Sequence, residues 1–158
     1  MKPKIYVETT VISYLTALPS TDLIMTAHQQ ITRDWWKRRQ RFDLFISQAV
    51  LREVAAGNTE AATLRLAAVD GIPVLTIGTD TLGLAERFLF RKVIPTKAEV
   101  AAVHIAVAVV NGMDFLVIWN CAHIANAAIR GKIEETCRDM GFEPPTICTP
   151  EELLEEST

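Results

Sequence analysis

Short apolar runs alternate with longer stretches of helical periodicity along the whole chain. Ile5-Tyr6-Val7 reads as a first buried strand, followed by Glu8-Thr9-Thr10 and a short helix over Val11–Ala17 that stops before Pro19. Ser20 or Thr21 is expected to cap a second helix, in which Leu23, Ile24, Ile31 and Trp35 recur at roughly helical spacing. Leu44-Phe45-Ile46 predicts a second strand, and Ser47 an N-cap for a helix running to Gly57, a natural C′ residue. A further helix is expected over Glu60–Val69. Asp70-Gly71 then turns into a third strand, Pro73–Ile77, and Asp80 opens a helix to Lys92. Pro95-Thr96 starts the most apolar helix, which ends at Asn111-Gly112, and Phe115–Ile118 follows as a fourth strand. A helix from Ala125 to Met140 stops at Gly141, and Thr146-Ile147-Cys148 is a weak fifth strand. Thr149-Pro150-Glu151-Glu152 carries a capping box with proline at its first helical position. Strands separated by helices predict an α/β domain, a parallel sheet with helices on both faces.

Composition narrows the class. At 158 residues the chain has the length of one domain, assigned to 1–150, with 151–158 as a C-terminal helix end and short tail. Its 49% hydrophobic and 22% charged residues exclude a disordered or fibrous chain. A net charge of −3 and a pI near 5.6 exclude a domain-wide basic charge for nucleic acid, though not a local basic patch. Glu8 interrupts the short apolar run that follows Lys2 and Lys4, leaving no apolar core for a leader, so no secretory signal is expected. The apolar segment Ala101–Trp119 is interrupted by His104, Asn111-Gly112 and Asp114, which argues against a membrane span. Cys121, Cys137 and Cys148 form no CxxC pair and are expected to be buried free thiols in a reducing cytoplasm.

In an open parallel sheet, functional groups gather beyond the carboxyl ends of the strands. Glu8 directly follows the first strand, Glu53 lies on the helix after the second, and Asn120 follows the fourth. Oxygen donors converging from separate segments suit a hard divalent cation such as Mg²⁺ or Mn²⁺. Each residue also has an ordinary reading: Glu8 can complement a helix dipole, Glu53 can be a solvated helix residue, and Asn120 a turn residue.

Four strings occur in one order: Ile5-Tyr6-Val7-Glu8-Thr9-Thr10-Val11, Ser47-Gln48-Ala49-Val50-Leu51-Arg52-Glu53, Ala102-Val103-His104-Ile105-Ala106-Val107-Ala108 and Phe115-Leu116-Val117-Ile118-Trp119-Asn120. Together, over nearly the whole chain, they resemble the PIN-domain family, particularly the branch close to VapC-type toxins of toxin–antitoxin pairs. The resemblance implies a sheet in the order 3-2-1-4-5 and a metal-dependent ribonuclease that cuts RNA through clustered acidic side chains. It places Glu8 at the first acidic position, usually Asp, and Thr10 at a supporting hydroxyl position. Glu53 stands at the helix glutamate, and Asn120 where many relatives have Asp. His123, three residues further on, falls where relatives often carry a second polar or acidic group.

The departure is at Ala101, where the family pattern places Asp three residues before the histidine. Glu99 does not substitute, because two residues along a helix rotate a side chain by about 200°. Only an irregular first turn at Pro95-Thr96 would bring it round. With fewer anionic ligands, a single weakly held Mg²⁺ or Mn²⁺ is the expectation, not a two-metal centre.

Trp35-Trp36-Lys37-Arg38-Arg39-Gln40-Arg41 is the one basic cluster, and Arg38, Arg39 and Arg41 are candidate RNA contacts; the ordinary reading is the wet end of an amphipathic helix. His104, alone on an apolar helix, reads first as a hydrogen-bonded core residue. Apolar faces around Val11–Leu15, Leu23–Ile31 and Ala101–Val110 favour a homodimer, and PIN relatives also accept an antitoxin protein. The leading expectation is a toxin-type ribonuclease with a depleted acidic site. The alternative is an inactive PIN-fold module binding RNA or a protein partner. No Gly-rich loop follows the first strand, which argues against an unrelated nucleotide-binding domain.

Overall fold

The computed structural model describes residues 1–119 and 127–156. Strand β1 (Lys4–Val7) leads into helix α1 (Thr9–Thr16), and α2 (Leu23–Trp36) precedes β2 (Asp43–Ser47). Helices α3 (Gln48–Val54) and α4 (Thr59–Val69) follow, then β3 (Val74–Leu75) and α5 (Thr79–Phe90). Helix α6 (Glu99–Val110), β4 (Phe115–Val117), α7 (Ala127–Asp139), β5 (Thr146–Cys148) and α8 (Pro150–Glu156) complete the order. All strand pairs are parallel, and the five-stranded sheet runs β3-β2-β1-β4-β5, the order expected.

The central strand explains why helices cover both faces. Successive side chains of a strand point to opposite sides, yet Ile5, Tyr6 and Val7 are all fully buried. Helix α6 is buried around most of its circumference, through Ala102, His104, Ile105, Ala106, Val107, Ala108 and Val109, because it packs against α5, α3 and β4 together. It ends at Gly112, whose φ of +68° belongs to the left-handed region, and the Met113 N–H returns to the Ala108 carbonyl at 3.0 Å. Among the described residues no helix is long and apolar enough to cross a membrane.

Several boundaries differ from the sequence expectation, each for a local reason. Asp22, not Ser20 or Thr21, caps α2, its carboxylate accepting from the Met25 N–H at 2.9 Å; Ser20 instead accepts from the Asp22 N–H at 3.0 Å. Strand β3 is two residues long rather than five, an edge strand with Val74 42% exposed. Helix α5 ends at Phe90, and Lys92 adopts φ +57°, terminating the helix where continuation was expected. The segment from Pro95 is a 3₁₀ turn over Thr96–Ala98, and the α-helix begins only at Glu99. Ala98, at φ −110° and ψ 31°, marks the break between them. At the C-terminus the capping box forms as expected, the Thr149 N–H donating to Glu152 at 3.2 Å. Leu153, 2% exposed, belongs to the core, and α8 packs on α2. Cys137 and Cys148 are buried free thiols, burial raising Cys137 to about 11; Cys121 lies outside the described residues.

Ser47 holds two structures at once. Its hydroxyl accepts from the N–H groups of Ala49 (3.1 Å) and Val50 (3.4 Å) as the cap of α3, and it lies 2.7 Å from the Tyr6 hydroxyl. Ser47→Ala is therefore expected to remove a cap and leave a buried phenol short of a partner, costing about 1–3 kcal/mol. Thermal denaturation should show a fall of roughly 3–10 °C for a domain of this size; an unchanged midpoint would contradict the cap assignment.

Candidate active site

Parallel pairing brings the carboxyl ends of β1, β2 and β4 to one edge of the sheet. The Glu8 N–H donates to the Val117 carbonyl at 3.1 Å, which fixes Glu8 one residue beyond β1 and beside the end of β4. Glu8 is also the N-cap of α1, its carboxylate accepting from the Thr10 N–H. The Thr10 hydroxyl accepts from the Trp119 N–H at 3.0 Å and so ties the end of β4 to the start of α1. Thr10 thus supports the position of Glu8 from two sides, and the capping role of Glu8 is as real as its exposure to the site.

Glu8, Thr9, Thr10, Ser13, Glu53, Lys97, Ala98, Ala101, His104 and Ile118 line one cavity of about 360 Å³, together with Val100. The structure therefore brings Glu8 and Glu53 to one cavity, which Ala101 also lines without offering a donor. Glu99 does not line the cavity, even though the irregular turn before it exists. The turn delivers Lys97 instead, four residues before Ala101. Asn120 and His123 lie outside the described residues. Arg39–Arg41 form a turn just before β2, at the amino edge of the sheet and away from the cavity. There Arg39 donates to the Trp36 carbonyl at 2.9 Å and stacks 4.8 Å from the Trp36 ring centroid; Arg38 and Arg41 are also engaged in interactions.

The two carboxylates have opposite electrostatic fates. Glu8 is 5% exposed, and burial raises its pKa; His104 and Thr10 favour its ionised form but do not cancel burial, and Glu53 adds repulsion. Burial also pulls Glu53 upward, but hydrogen bonds from His104 and Thr9 outweigh it and leave its pKa lowered. Thr9 donates to Glu53 Oε1 at 2.6 Å, and His104 Nε2 lies 2.6 Å from the same oxygen.

Donor and acceptor accounting fixes the direction of this network. The Ser47 oxygen already accepts from two backbone N–H groups, so its own hydrogen goes to the Tyr6 oxygen. Tyr6 then donates to His104 Nδ1 at 2.7 Å, which leaves the histidine hydrogen on Nε2, donated to the ionised Glu53. Burial holds Tyr6 above its ordinary pKa, with Glu8 and Glu53 repulsion adding to it, so the phenol keeps the proton that this direction requires. His104 is thus a hydrogen-bonded core residue, as expected, and it also orients a site carboxylate. The sequence reading missed that link, and it missed Thr9 and Lys97. Lys97 carried no sequence signal, because it sits in the 3₁₀ turn before the break at Ala98 rather than on the helix.

No family model matches the chain, and no curated protein matches it in sequence. Among solved structures, it is similar to the crystal structure of Mycobacterium tuberculosis VapC20, described as a Sarcin-Ricin loop cleaving toxin. The TM-score is 0.59 and the identity 19%, covering 77% of this chain and 93% of that one. The chain has a VapC-like PIN-domain fold. The fold explains why Glu8 and Glu53, 45 positions apart in number, face one cavity.

Among the described residues no group of three or more His, Cys, Asp or Glu side chains could hold a metal ion. Two hard carboxylates remain, with Glu53 Oε2 uncommitted. That set suits one Mg²⁺ or Mn²⁺, which binds through one or two carboxylates and keeps waters, and does not suit a two-ion centre.

The raised Glu8 pKa has a consequence for stability. A carboxyl whose folded pKa lies above its unfolded value binds more protons when folded, so stability falls as pH rises through that window. Glu8→Gln keeps an acceptor for Thr10 and removes the buried charge. Its melting temperature should exceed that of the wild type at pH 7, with the difference shrinking toward pH 4. A variant less stable than wild type at pH 7 and equal to it at pH 4 would reverse the sign of this account.

Proposed function

We propose that this chain is a toxin-type ribonuclease of a toxin–antitoxin pair, acting on RNA through a depleted acidic site. The observation that carries the reading is the convergence of Glu8 and Glu53 on one cavity at the carboxyl edge of a VapC-like PIN-domain fold. A Mg²⁺ or Mn²⁺ ion held by these carboxylates, with Asn120 as a further oxygen donor, would lower the pKa of a water and neutralise phosphate charge. The chain's own residues prepare the site. His104 and Thr9 keep Glu53 ionised and pointed at the cavity, Thr10 anchors Glu8, and the Lys97 ammonium supplies a positive charge for a phosphodiester. His123 is proposed as a polar group meeting water or phosphate. The similarity to an RNA-cleaving toxin supports RNA, single-stranded or structured, as the substrate class and an antitoxin protein as partner.

Arg38, Arg39 and Arg41 would contact RNA only beyond the opposite edge of the sheet, as an accessory surface. A cytoplasmic location and a homodimer complete the proposal. The second reading, an inactive PIN-fold module that binds RNA or protein, is favoured by a specific observation: Ala101 lines the cavity and offers no carboxylate.

Cleavage of a mixed single-stranded RNA pool with added Mn²⁺ or Mg²⁺ separates the readings. The expected result is slow cleavage by the natural sequence, lost by at least about 100-fold in Glu8→Gln and Glu53→Gln and increased at least about ten-fold in Ala101→Asp. Silence from both the natural chain and Ala101→Asp would select the binding module.

A further inference from the structure

A second concavity adjoins the acidic cavity and shares Glu53 and Val100 with it. This groove, about 440 Å³, lies within the roughly 300–1,000 Å³ range of small-molecule sites. Its floor and walls are apolar, from Ala49, Ile77, Leu82 and Val103 as well as Val100, and Leu82 (47%) and Val100 (49%) are left in water. Two polar groups interrupt the apolar wall. The Gln48 carbonyl oxygen accepts from the Ile77 N–H at 3.2 Å, which orients the amide and leaves its NH₂ with no partner among the described residues. Arg52 forms no hydrogen bond or ion pair with any described residue. On the far side of Glu53, Lys97 is likewise uncommitted.

Resting on the ribonuclease reading above, we infer that this groove receives one unpaired nucleobase of the RNA, next to the phosphodiester held at Glu8 and Glu53. The chemistry matches on three counts. Apolar walls accept the faces of a flat ring, and a fixed NH₂ offers donors to the carbonyl or ring-nitrogen acceptors on a base edge. A guanidinium can stack on the ring or pair with its phosphate. Arg52 and Lys97, both without a partner among the described residues, line the two concavities and give a polyanionic backbone a path from one to the next. An apolar segment of a protein partner would use the walls but leave the amide and guanidinium unmatched, at a cost in desolvation.

The test is equilibrium binding by fluorescence anisotropy, with EDTA present. The probes are a labelled 12-nucleotide mixed-sequence RNA and the same strand built from abasic ribose units. The wild type should bind the RNA about ten-fold more tightly than the abasic strand, a ratio consistent with roughly 1–3 kcal/mol per stacked base. Leu82→Trp fills the groove from an exposed position and should collapse that ratio to near one without changing affinity for the abasic strand. Leu82→Phe, a smaller filling at the same exposed position and outside the acidic cavity, should lower the ratio in part. Equal binding of both strands by wild type, or a ratio unmoved in both Leu82 variants, would overturn the inference. If Glu8-dependent cleavage persists in that case, the ribonuclease reading stands and only the groove assignment falls. No RNA binding and no cleavage would overturn both.

Discussion

Burying the hydroxyl of Tyr6 constrains much of what surrounds it. Tyr6 is fully buried on the central strand, and an unpaired phenol there costs about 1–3 kcal/mol. The fold satisfies it with Ser47, at the end of the neighbouring strand, and with His104, in the middle of the most buried helix. Those partners have obligations of their own. Ser47 caps the helix that carries Glu53, and His104 passes its remaining hydrogen to Glu53 itself. A polar path therefore runs from the sheet centre to the cavity, setting the position of α3 against β1 and α6 and holding one carboxylate ionised. Glu8 lies outside this path. It is held by Thr10 and by the Val117 carbonyl, so the two acids reach the same space from independent supports.

Much of the architecture is legible in the sequence because its signals are local. Ser47, Gly112 and the Thr149–Glu152 box mark helix ends by chemistry that needs no tertiary context. The strand order was not readable from periodicity; it followed from resemblance, and parallel register then placed Glu8, Glu53 and Ala101 at one cavity. What escaped were features set by competition between local and tertiary preferences. Nothing in Pro95–Glu99 announces that Ala98 leaves helical geometry, and that break decides which side chain faces the cavity. Asp22 displaced Ser20 as a cap because Ser20 was already bound to the Asp22 N–H and, through its carbonyl, to the Thr26 hydroxyl. The edge strand β3 shortened because it pairs with β2 alone and leaves Val74 in water.

The site sets two carboxyl groups and an alanine around one cavity. Positioning groups for both acids are in place, and Ala101, where the family resemblance places a third acid, lines the same space. Lys97 lines that space together with Ala101, so the cavity carries a positive charge as well as its two carboxyl groups. A positive charge there weakens attraction for a dication and lessens the repulsion of a phosphodiester by the carboxylates.

Whether Ala101 is the missing ligand of an otherwise intact centre is tested most directly by calorimetric titration of Mn²⁺ into the natural protein, Ala101→Asp, and Ala101→Asp combined with Glu53→Gln. Weak, barely saturable binding to the natural protein is predicted, with affinity at least about ten-fold higher in Ala101→Asp, the equivalent of roughly 1.4 kcal/mol. The added Glu53→Gln substitution should remove that gain. Equal affinity in all three proteins would show that the cavity is not a metal centre in waiting, and the acidic frame would then have to be read as structural.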